Sequence, residues 1–360
     1  MGVGPHDERF MAAAIRLSRW HTGLTSTNPS VGCLIVRDGV IVGRGVTALG
    51  GRPHAEPQAL ADAAELARGA TAYVTLEPCS HHGKTPPCAE ALIAYGVARV
   101  VIAVTDPDPR VSGRGIALLR AAGIEVDAGL LEEEGRRALA GYLTRQTKNR
   151  PYVTLKLAIS ADGMIGREGG GQVAITGPAA RAQVHSLRAE TDAILVGIGT
   201  AIADDPLLTV RTPGLESQSP IRTVLDPALE LPLTSKLVNS ARDVPVIVVA
   251  RPEMDEARAE PLRSAGVEIL PCDPYHPEVL LPALASRGIS SLLVEGGAKT
   301  ARLFLDAGLV DRIQLYQGPG TIGEGGIESP LQKTDMPSGF AHRGTFIFGE
   351  DRLDEYEREL

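Results

Sequence analysis

Apolar and polar positions along the chain fall into short apolar runs separated by stretches of helical spacing. That alternation predicts layered α/β structure. Met1 to Trp20 carries Asp7, Glu8, Arg9, Arg16 and Arg19 among its apolar positions and reads as an amphipathic helix. VGCLIV (31–36) and VIVGRGV (40–46) flank Arg37-Asp38-Gly39, a hairpin signal. AYVTLE (72–77) and RVVIAV (99–104) read as buried strands, each followed by a helix, and IEVDAG (124–129) is a further strand. Leu131 to Lys148 reads as one long charged helix. Lys148-Asn149-Arg150-Pro151 ends it, and YVTLKLAIS (152–160) restarts strand chemistry. The alternation then repeats through AILVGI (193–198), RTVLD (222–226), VPVIVVA (244–250), SLLVEGG (291–297) and DRIQLY (311–316). TPGLESQSP (212–220) reads as a polar surface loop, and Gly318 to Leu360 is poor in pattern.

Length turns this pattern into a domain expectation. A chain of 360 residues exceeds one ordinary core, and the break at 148–151 divides it into domains 1–148 and 149–360. With 43% hydrophobic and 22% charged residues the chain is globular. Net charge is −8, no Lys/Arg-dense run occurs and aromatics are 4%, all of which weigh against a nucleic-acid partner. No run of eighteen apolar residues exists, so no membrane span is expected, and the opening segment does not read as a secretory signal. Four cysteines, Cys33, Cys79, Cys88 and Cys272, make no disulfide framework. The expected compartment is the cytoplasm, where spaced cysteines point to metal. A homo-oligomer is left open.

The candidate chemistry begins with TLEPCSHHGKTPPC (75–88) and the upstream RPHAEPQAL (52–60). Zinc deaminases use His-x-Glu at one helix start and Pro-Cys…Cys at another, with the glutamate off the metal as proton shuttle. Pro57 and Pro86-Pro87 fit loop-to-helix junctions. His54, Cys79 and Cys88 can then converge on one zinc ion per chain and leave the fourth position to water, which distinguishes a catalytic from a structural zinc. Glu56 would move the protons. The competing reading uses Cys79, Cys88 and His81 or His82 in a closed knuckle without chemistry, but it leaves His-Ala-Glu unexplained.

Here the chain resembles a known family. CSHHGKTPPC places eight residues between the cysteines, and with TNPSVGCLIV upstream it is similar to the bifunctional riboflavin-biosynthesis enzymes, a pyrimidine deaminase fused to a reductase. In the second half, RPYVTLKLAISADGMIG (150–166), the stretch 174–211 and SLLVEGGAKTARLFLDAGLVD (291–311) resemble the family's reductase. The resemblance implies a cytidine-deaminase-like α/β/α domain followed by a dihydrofolate-reductase-like α/β domain. It also implies phosphorylated pyrimidine substrates, zinc in the first domain and NADPH in the second.

Residue roles follow from the resemblance. Asn28 would lie in the pyrimidine pocket, and Lys84 and His82 would hold the ribose phosphate. Ala158, Ala174, Thr200, Asp204 and the run Gly297, Ala298, Lys299, Thr300, Ala301, Arg302, Leu303 would line NADPH. Gln172, Arg188, Leu208, Arg211 and Glu295 would hold the second substrate, Arg188 and Arg211 as phosphate partners through bidentate hydrogen bonds. Lys156 and Glu295 are candidates for the proton transfers that accompany hydride delivery. Two positions depart from the family pattern: Ala174 stands where a Trp is usual, and Gln172 where a small hydroxyl residue is common. Independently of family, Val294-Glu295-Gly296-Gly297 ends a strand and opens a helix, a turn that suits phosphate but is common. Gly197-Ile198-Gly199 lacks the third glycine of a Rossmann fingerprint, since Ile202 stands there. Two rival functions remain: a nucleic-acid base deaminase with a non-catalytic second domain, and a zinc-stabilised binding protein without turnover.

Overall fold

Runs of Val, Ile, Leu and Ala become the strands of two separate sheets. The computed structural model describes residues 4–82, 86–109, 111–169, 171 and 173–359, in two units, Met1–Asn149 and Arg150–Leu360.

In the first unit α1 (Pro5–Ser18) precedes a hairpin of β1 (Gly32–Arg37) and β2 (Val40–Val46), and α2 (Ala55–Ala63) follows. Next come β3 (Thr71–Leu76), α3 (Cys88–Ala94), β4 (Arg99–Val104), α4 (Arg114–Ala121) and β5 (Glu125–Ala128). The sheet order is β2-β1-β3-β4-β5. β1 runs antiparallel to its two neighbours, and β3, β4 and β5 are parallel. Strands β3 and β4 are buried almost throughout, as expected of parallel strands covered on both faces. Close backbone contact seats α2 on β2: a Cβ at Gly45 would come within 2.1 Å of the Ala55 carbonyl oxygen. The glycines of VIVGRGV therefore set the depth of the helix whose first turn carries Glu56. Asp7 ties α1 to the sheet, accepting from Tyr73 Oη at 2.6 Å and Arg99 at 2.8 Å.

The long helix expected over Leu131–Lys148 is two helices, α5 (Glu132–Ala138) and α6 (Ala140–Lys148). Leu139, at φ −104° and ψ 11°, breaks the helical repeat. The bend lets both Leu139 and Leu143 enter the core, where they are buried, which outweighs the loss of one regular turn.

The second unit opens with β6 (Tyr152–Ile159) and β7 (Met164–Arg167), then α7 (Pro178–Ala189), β8 (Ala193–Gly197) and α8 (Ile198–Asp204). It continues through β9 (Ile221–Leu225), α9 (Lys236–Asn239), β10 (Val246–Ala250), α10 (Glu256–Ser264), β11 (Glu268–Pro271) and α11 (Pro277–Ala285). It closes with β12 (Ser291–Val294), α12 (Ala298–Asp306), β13 (Arg312–Gln317), β14 (Gly326–Glu328), β15 (Phe340–Phe348) and β16 (Asp351–Arg358). Nine strands order as β11-β10-β9-β8-β12-β6-β13-β16-β15, parallel from β11 to β13 and antiparallel beyond, while β7 pairs with β14 apart. The pattern-poor tail thus supplies three strands. Charged positions hide β16, because Glu355 and Glu357 pair with Arg312 across the sheet. Because β8 and β12 are parallel neighbours, α8 and α12 both begin at the same edge of the sheet, the usual place for a ligand in an open parallel sheet. Among the described residues no helix is long and apolar enough to cross a membrane.

Candidate functional site

In the first unit the two motifs meet. His54 is the residue before α2, Cys88 opens α3, and Cys79 lies just beyond β3. His54 Nδ1 is 3.3 Å from Cys88 Sγ and 3.7 Å from Cys79 Sγ, and the Cys88 backbone N–H donates to Cys79 Sγ at 3.3 Å. All three donor atoms lie within 4.8 Å of one another. Zinc bonds of about 2.0–2.3 Å in tetrahedral geometry require donors roughly 3.3–3.8 Å apart, so the set fits a zinc ion with one position left for water. Neither His81 nor His82 belongs to this set. Hydrogen bonding from Cys88 pulls the Cys79 thiol down to about 4, while Cys79 and burial push the Cys88 thiol up. The negative Cys79 sulfur also raises His54.

Glu56 sits in the first turn of α2, buried, with its carboxyl within hydrogen-bond reach of Cys88. Burial, then the negative Cys79, pushes it up to about 7. Its carboxyl therefore lies against the candidate ligand set. Cys33, fully buried on β1, lies behind it, and its thiol is pushed up by burial and by Glu56.

A residue that sequence reasoning missed organises the wall beside Cys79. Buried Glu77 accepts the backbone N–H groups of Asp106 and Gly113 on one oxygen and of Gly115 and Ile116 on the other, at 3.0–3.3 Å. A carboxylate satisfied by three amides at the start of α4 and one just beyond β4 fixes the strand end that delivers Cys79. The only sequence signal was a charged residue ending an apolar strand.

The substrate residues of this unit are placed unevenly. Asn28 is half-buried, its backbone bracketed by Thr25 and its Nδ2 lying over Gly51, shortly before His54. His82 is largely exposed, with Nε2 3.4 Å from Glu90. His81 has the buried ring nitrogen, and its Nδ1 has no hydrogen-bond partner among the described residues. Lys84 lies outside the described residues.

In the second unit Lys156 stands mid-strand on β6, on the face shared with Tyr316, its Nζ 5.7 Å from the ring centroid. Burial lowers its pKa, partly offset by the Glu295 carboxylate. Glu295 follows β12 and meets Arg188, on α7, in a two-pronged ion pair: Nε to Oε1 at 2.8 Å and Nη2 to Oε2 at 2.9 Å, both side chains 11% exposed. Burial would raise the Glu295 carboxyl, but Arg188 and Lys156 together hold it below its ordinary value. Arg188 also donates to the Thr209 carbonyl at 3.3 Å, and His185 Nδ1 accepts from the Arg211 N–H at 3.4 Å, so α7 grips the segment that carries Leu208 and Arg211.

Where α8 and α12 begin, Thr200 Oγ1 accepts the Gly297 N–H at 3.2 Å. Thr300 fills the floor: a Cβ at Gly296 would come within 2.5 Å of Thr300 Cβ. Two helix starts and their glycines therefore form one concave backbone surface, suited to phosphate groups. Asp204 is half-buried at the end of α8, its carboxyl raised by burial. Gly297 and Ala298 line the helix start, Lys299 and Arg302 are exposed, and Ala174 and Arg211 are exposed. Ala301, Leu303 and Leu208 turn their side chains to the hydrophobic core. Ala158 packs beside Tyr316 and Leu353 under α7. Gln172 lies outside the described residues.

Residues 5–104 match the family described as the cytidine and deoxycytidylate deaminase zinc-binding region, and residues 151–349 match the RibD C-terminal domain. The chain is 44% identical to the riboflavin biosynthesis protein RibD of Aquifex aeolicus over 319 residues, covering 89% of this chain and 88% of that protein. It is 42% identical to the RibD of Escherichia coli over 331 residues, covering 88% and 89%. Among solved structures, a diaminohydroxyphosphoribosylaminopyrimidine deaminase/5-amino-6-(5-phosphoribosylamino)uracil reductase from Thermotoga maritima aligns with TM-score 0.87 at 35% identity, over 98% of this chain and 99% of that one. Acinetobacter baumannii RibD, form 1, aligns with TM-score 0.87 at 36% identity over 99% of each chain. The fold class implied by the resemblance, a cytidine-deaminase-like domain followed by a dihydrofolate-reductase-like one, is borne out.

Proposed function

This chain belongs to the RibD family of bifunctional riboflavin-biosynthesis deaminase/reductases, and from that premise we propose how its residues share the two reactions. The enzyme deaminates a diaminohydroxyphosphoribosylaminopyrimidine with zinc, then reduces the ribosyl side chain of the product with NADPH. The match of residues 151–349 to the RibD C-terminal domain speaks against the reading of a nucleic-acid deaminase with a non-catalytic second half.

In the deamination His54, Cys79 and Cys88 would hold zinc, which would supply an activated water near neutral pH. Glu56 takes the proton of the attacking water and returns protons to the ring nitrogen and to the departing ammonia. Its burial beside the ligands supports this role. Asn28 orients the pyrimidine from its position over Gly51. Lys84 and His82, both in the insert between the cysteines, are the residues assigned to the phosphate. His81 is the better-poised donor of the two histidines, since its buried Nδ1 is unpaired among the described residues.

In the reduction NADPH would supply the hydride that C1′ of the opened ribosylamine, in its imine form, takes up. Lys156 supplies the proton that the neighbouring nitrogen takes up. A desolvated ammonium with a lowered pKa is a better acid than an exposed one. Glu295, held ionised by Arg188, is a poor proton donor. It anchors the Lys156 charge and accepts hydrogen bonds from sugar hydroxyls. With the Arg188 fork committed to Glu295, Arg211 is the freer guanidinium for phosphate. The backbone of Gly297 to Leu303, with Lys299, Thr200, Asp204, Ala158 and Ala174, lines the cofactor, and Gln172 and Leu208 border the substrate. Phosphorylated small molecules, no nucleic acid, and a cytoplasmic location complete the reading. The acidic net charge supports it.

The observation that carries the proposal is the triangle of His54, Cys79 and Cys88 beside buried Glu56. Purified protein should release one ammonia per diaminopyrimidine consumed and then oxidise one NADPH. Zinc-loaded protein that does neither is the binding protein without turnover, and the proposal falls.

A further inference from the structure

Arg222 on β9 is 0% exposed, and neither reaction uses it. A buried guanidinium is expected to face a carboxylate, yet all four of its hydrogen bonds go to neutral acceptors. Nη1 donates to the Leu207 carbonyl at 3.2 Å and to Ser240 Oγ at 2.7 Å. Nη2 donates to the Ser240 carbonyl at 3.0 Å and to the Val244 carbonyl. Ser240 caps the C-terminal end of α9, where unpaired carbonyls favour a cation. At the other end of α9, Asp205 Oδ1 accepts the Lys236 N–H at 2.8 Å. The segment Asp205–Leu207 is therefore stapled to both ends of one short helix, by its own carboxylate at one end and through Arg222 at the other.

That segment is strained. Asp205 has φ +39° and Leu208 φ +56°, the left-handed region that disfavours a branched side chain. Such conformations persist only where the surroundings over-determine them. Leu208 is driven into the core by its side chain, and the carbonyl before it is held by Arg222. Immediately beyond, Thr209 and Arg211 are gripped by Arg188 and His185.

We propose that Arg222 is a positioning residue of the reductase, holding the strained Asp205–Leu208 turn so that Arg211, just beyond it, is presented to the substrate. The proposal rests on the reading that Arg211 faces that substrate. Loss of Arg222 lets the turn relax toward ordinary backbone angles and displaces Arg211, with substrate binding weakened more than hydride transfer.

The test uses the full chain with Arg222→Met, which keeps length and burial without the donors, and Arg222→Lys, which keeps the charge with fewer of them. With NADPH saturating and 5-amino-6-(5-phosphoribosylamino)uracil varied, KM should rise about tenfold in the Met variant and about threefold in the Lys variant, with kcat changed less than KM. Amide exchange over residues 205–211 should quicken at least about tenfold in the Met variant while β6 and β13 stay protected. Arg211→Ala tests the underlying reading separately: a KM unchanged there removes Arg211 from the substrate. Where Arg211→Ala does raise KM, unchanged exchange or unchanged KM in both Arg222 variants overturns the proposal. If the Met variant fails to fold, the Lys variant decides alone, with an unchanged KM against the proposal.

Discussion

The two units build their sites in opposite ways. In the first, three candidate ligand atoms and one carboxyl come from two helix starts and the end of one strand, and they gather in one place. In the second, the proposed site residues come from β6, α7, α8, the end of β12 and the start of α12, and their frame is ion pairs and backbone turns. Each unit nevertheless holds a buried ionisable side chain whose hydrogen-bond partners are neutral groups rather than an opposite charge. Glu77 gathers four amides beside Cys79, and Arg222 gathers carbonyls beneath Leu208. A metal site tolerates little error, because donors a few tenths of an ångström out lose the ion. A hydride site tolerates more variation in which residue does the holding, and so the chain spreads the task.

Metal removal separates the units most sharply. Chelation, Cys79→Ala or Cys88→Ala should abolish ammonia release and leave the reduction of supplied deaminated pyrimidine at its original rate. His81→Ala and His82→Ala should each keep stoichiometric zinc by elemental analysis. A metal-free His82 variant alongside a zinc-loaded His54→Ala would restore the closed knuckle.

Proton transfer gives the next contrast. Glu56→Gln keeps shape and zinc, and should cost deamination about 10²-fold or more, with NADPH oxidation untouched. Lys156→Met should do the reverse, by about 10²-fold or more in kcat of reduction. Because burial lowers the Lys156 pKa, its ammonium is lost as pH rises through a value below the ordinary 10.5. The reduction rate should therefore fall on the alkaline side earlier than an exposed lysine would allow, and Lys156→Met should erase that limb. A kcat profile that keeps its alkaline limb in the variant would assign the proton to another group.

These contrasts track what the sequence made legible. The zinc ligands and Glu56 stood out because coordination chemistry restricts residue type and spacing together. Strands with continuous apolar runs were equally plain. β16 was not, since its outward positions are ion-paired Glu and Arg, and the bend at Leu139 was not, since burial of two leucines decided it. The Arg188–Glu295 pair joins residues 107 apart in sequence, and no local pattern announces it. Glu77 and Arg222 were invisible for the same reason: each looks like a stray charge in an apolar run until the backbone groups around it are known.

A smaller effect concerns stability of the first unit. The Asp7 carboxyl, which burial alone would raise, is held down to about 2 by Arg99 and Tyr73. Its folded value lies below the ordinary 3.8, so its contribution is present above about pH 4 and is lost as pH falls toward 2. Asp7→Asn should destabilise the unit at pH 7 by about 1–3 kcal/mol, the cost of unbalancing a buried charge-assisted network, and should flatten the dependence of its urea midpoint between pH 4 and pH 2. An unchanged midpoint at pH 7 would mean that Arg99 is satisfied by Asp127 alone, which it also contacts at 2.6 Å.

The smallest expected effect is the most demanding for the comparison itself. Each unit has its own hydrophobic core, one built around β1, β3 and β4 and the other around β6, β8, β12 and β13. Units with separate cores fold alone when the chain between them is short of shared contacts. A fragment beginning at about residue 146, with the margin that sequence-read boundaries carry, should therefore fold and oxidise NADPH with the deaminated pyrimidine. Its kcat and KM should lie close to those of the full chain. It should ignore the diamino substrate, and chelator should leave its rate unchanged, since His54, Cys79 and Cys88 are gone. The measurement is a two-substrate assay on fragment and full chain, each with and without chelator, beside circular dichroism of the fragment. A fragment that is folded yet inactive would mean that the first unit contributes to the second site. The contrast between a local metal site and a dispersed hydride site would then have to be redrawn as one between two parts of a single catalytic assembly.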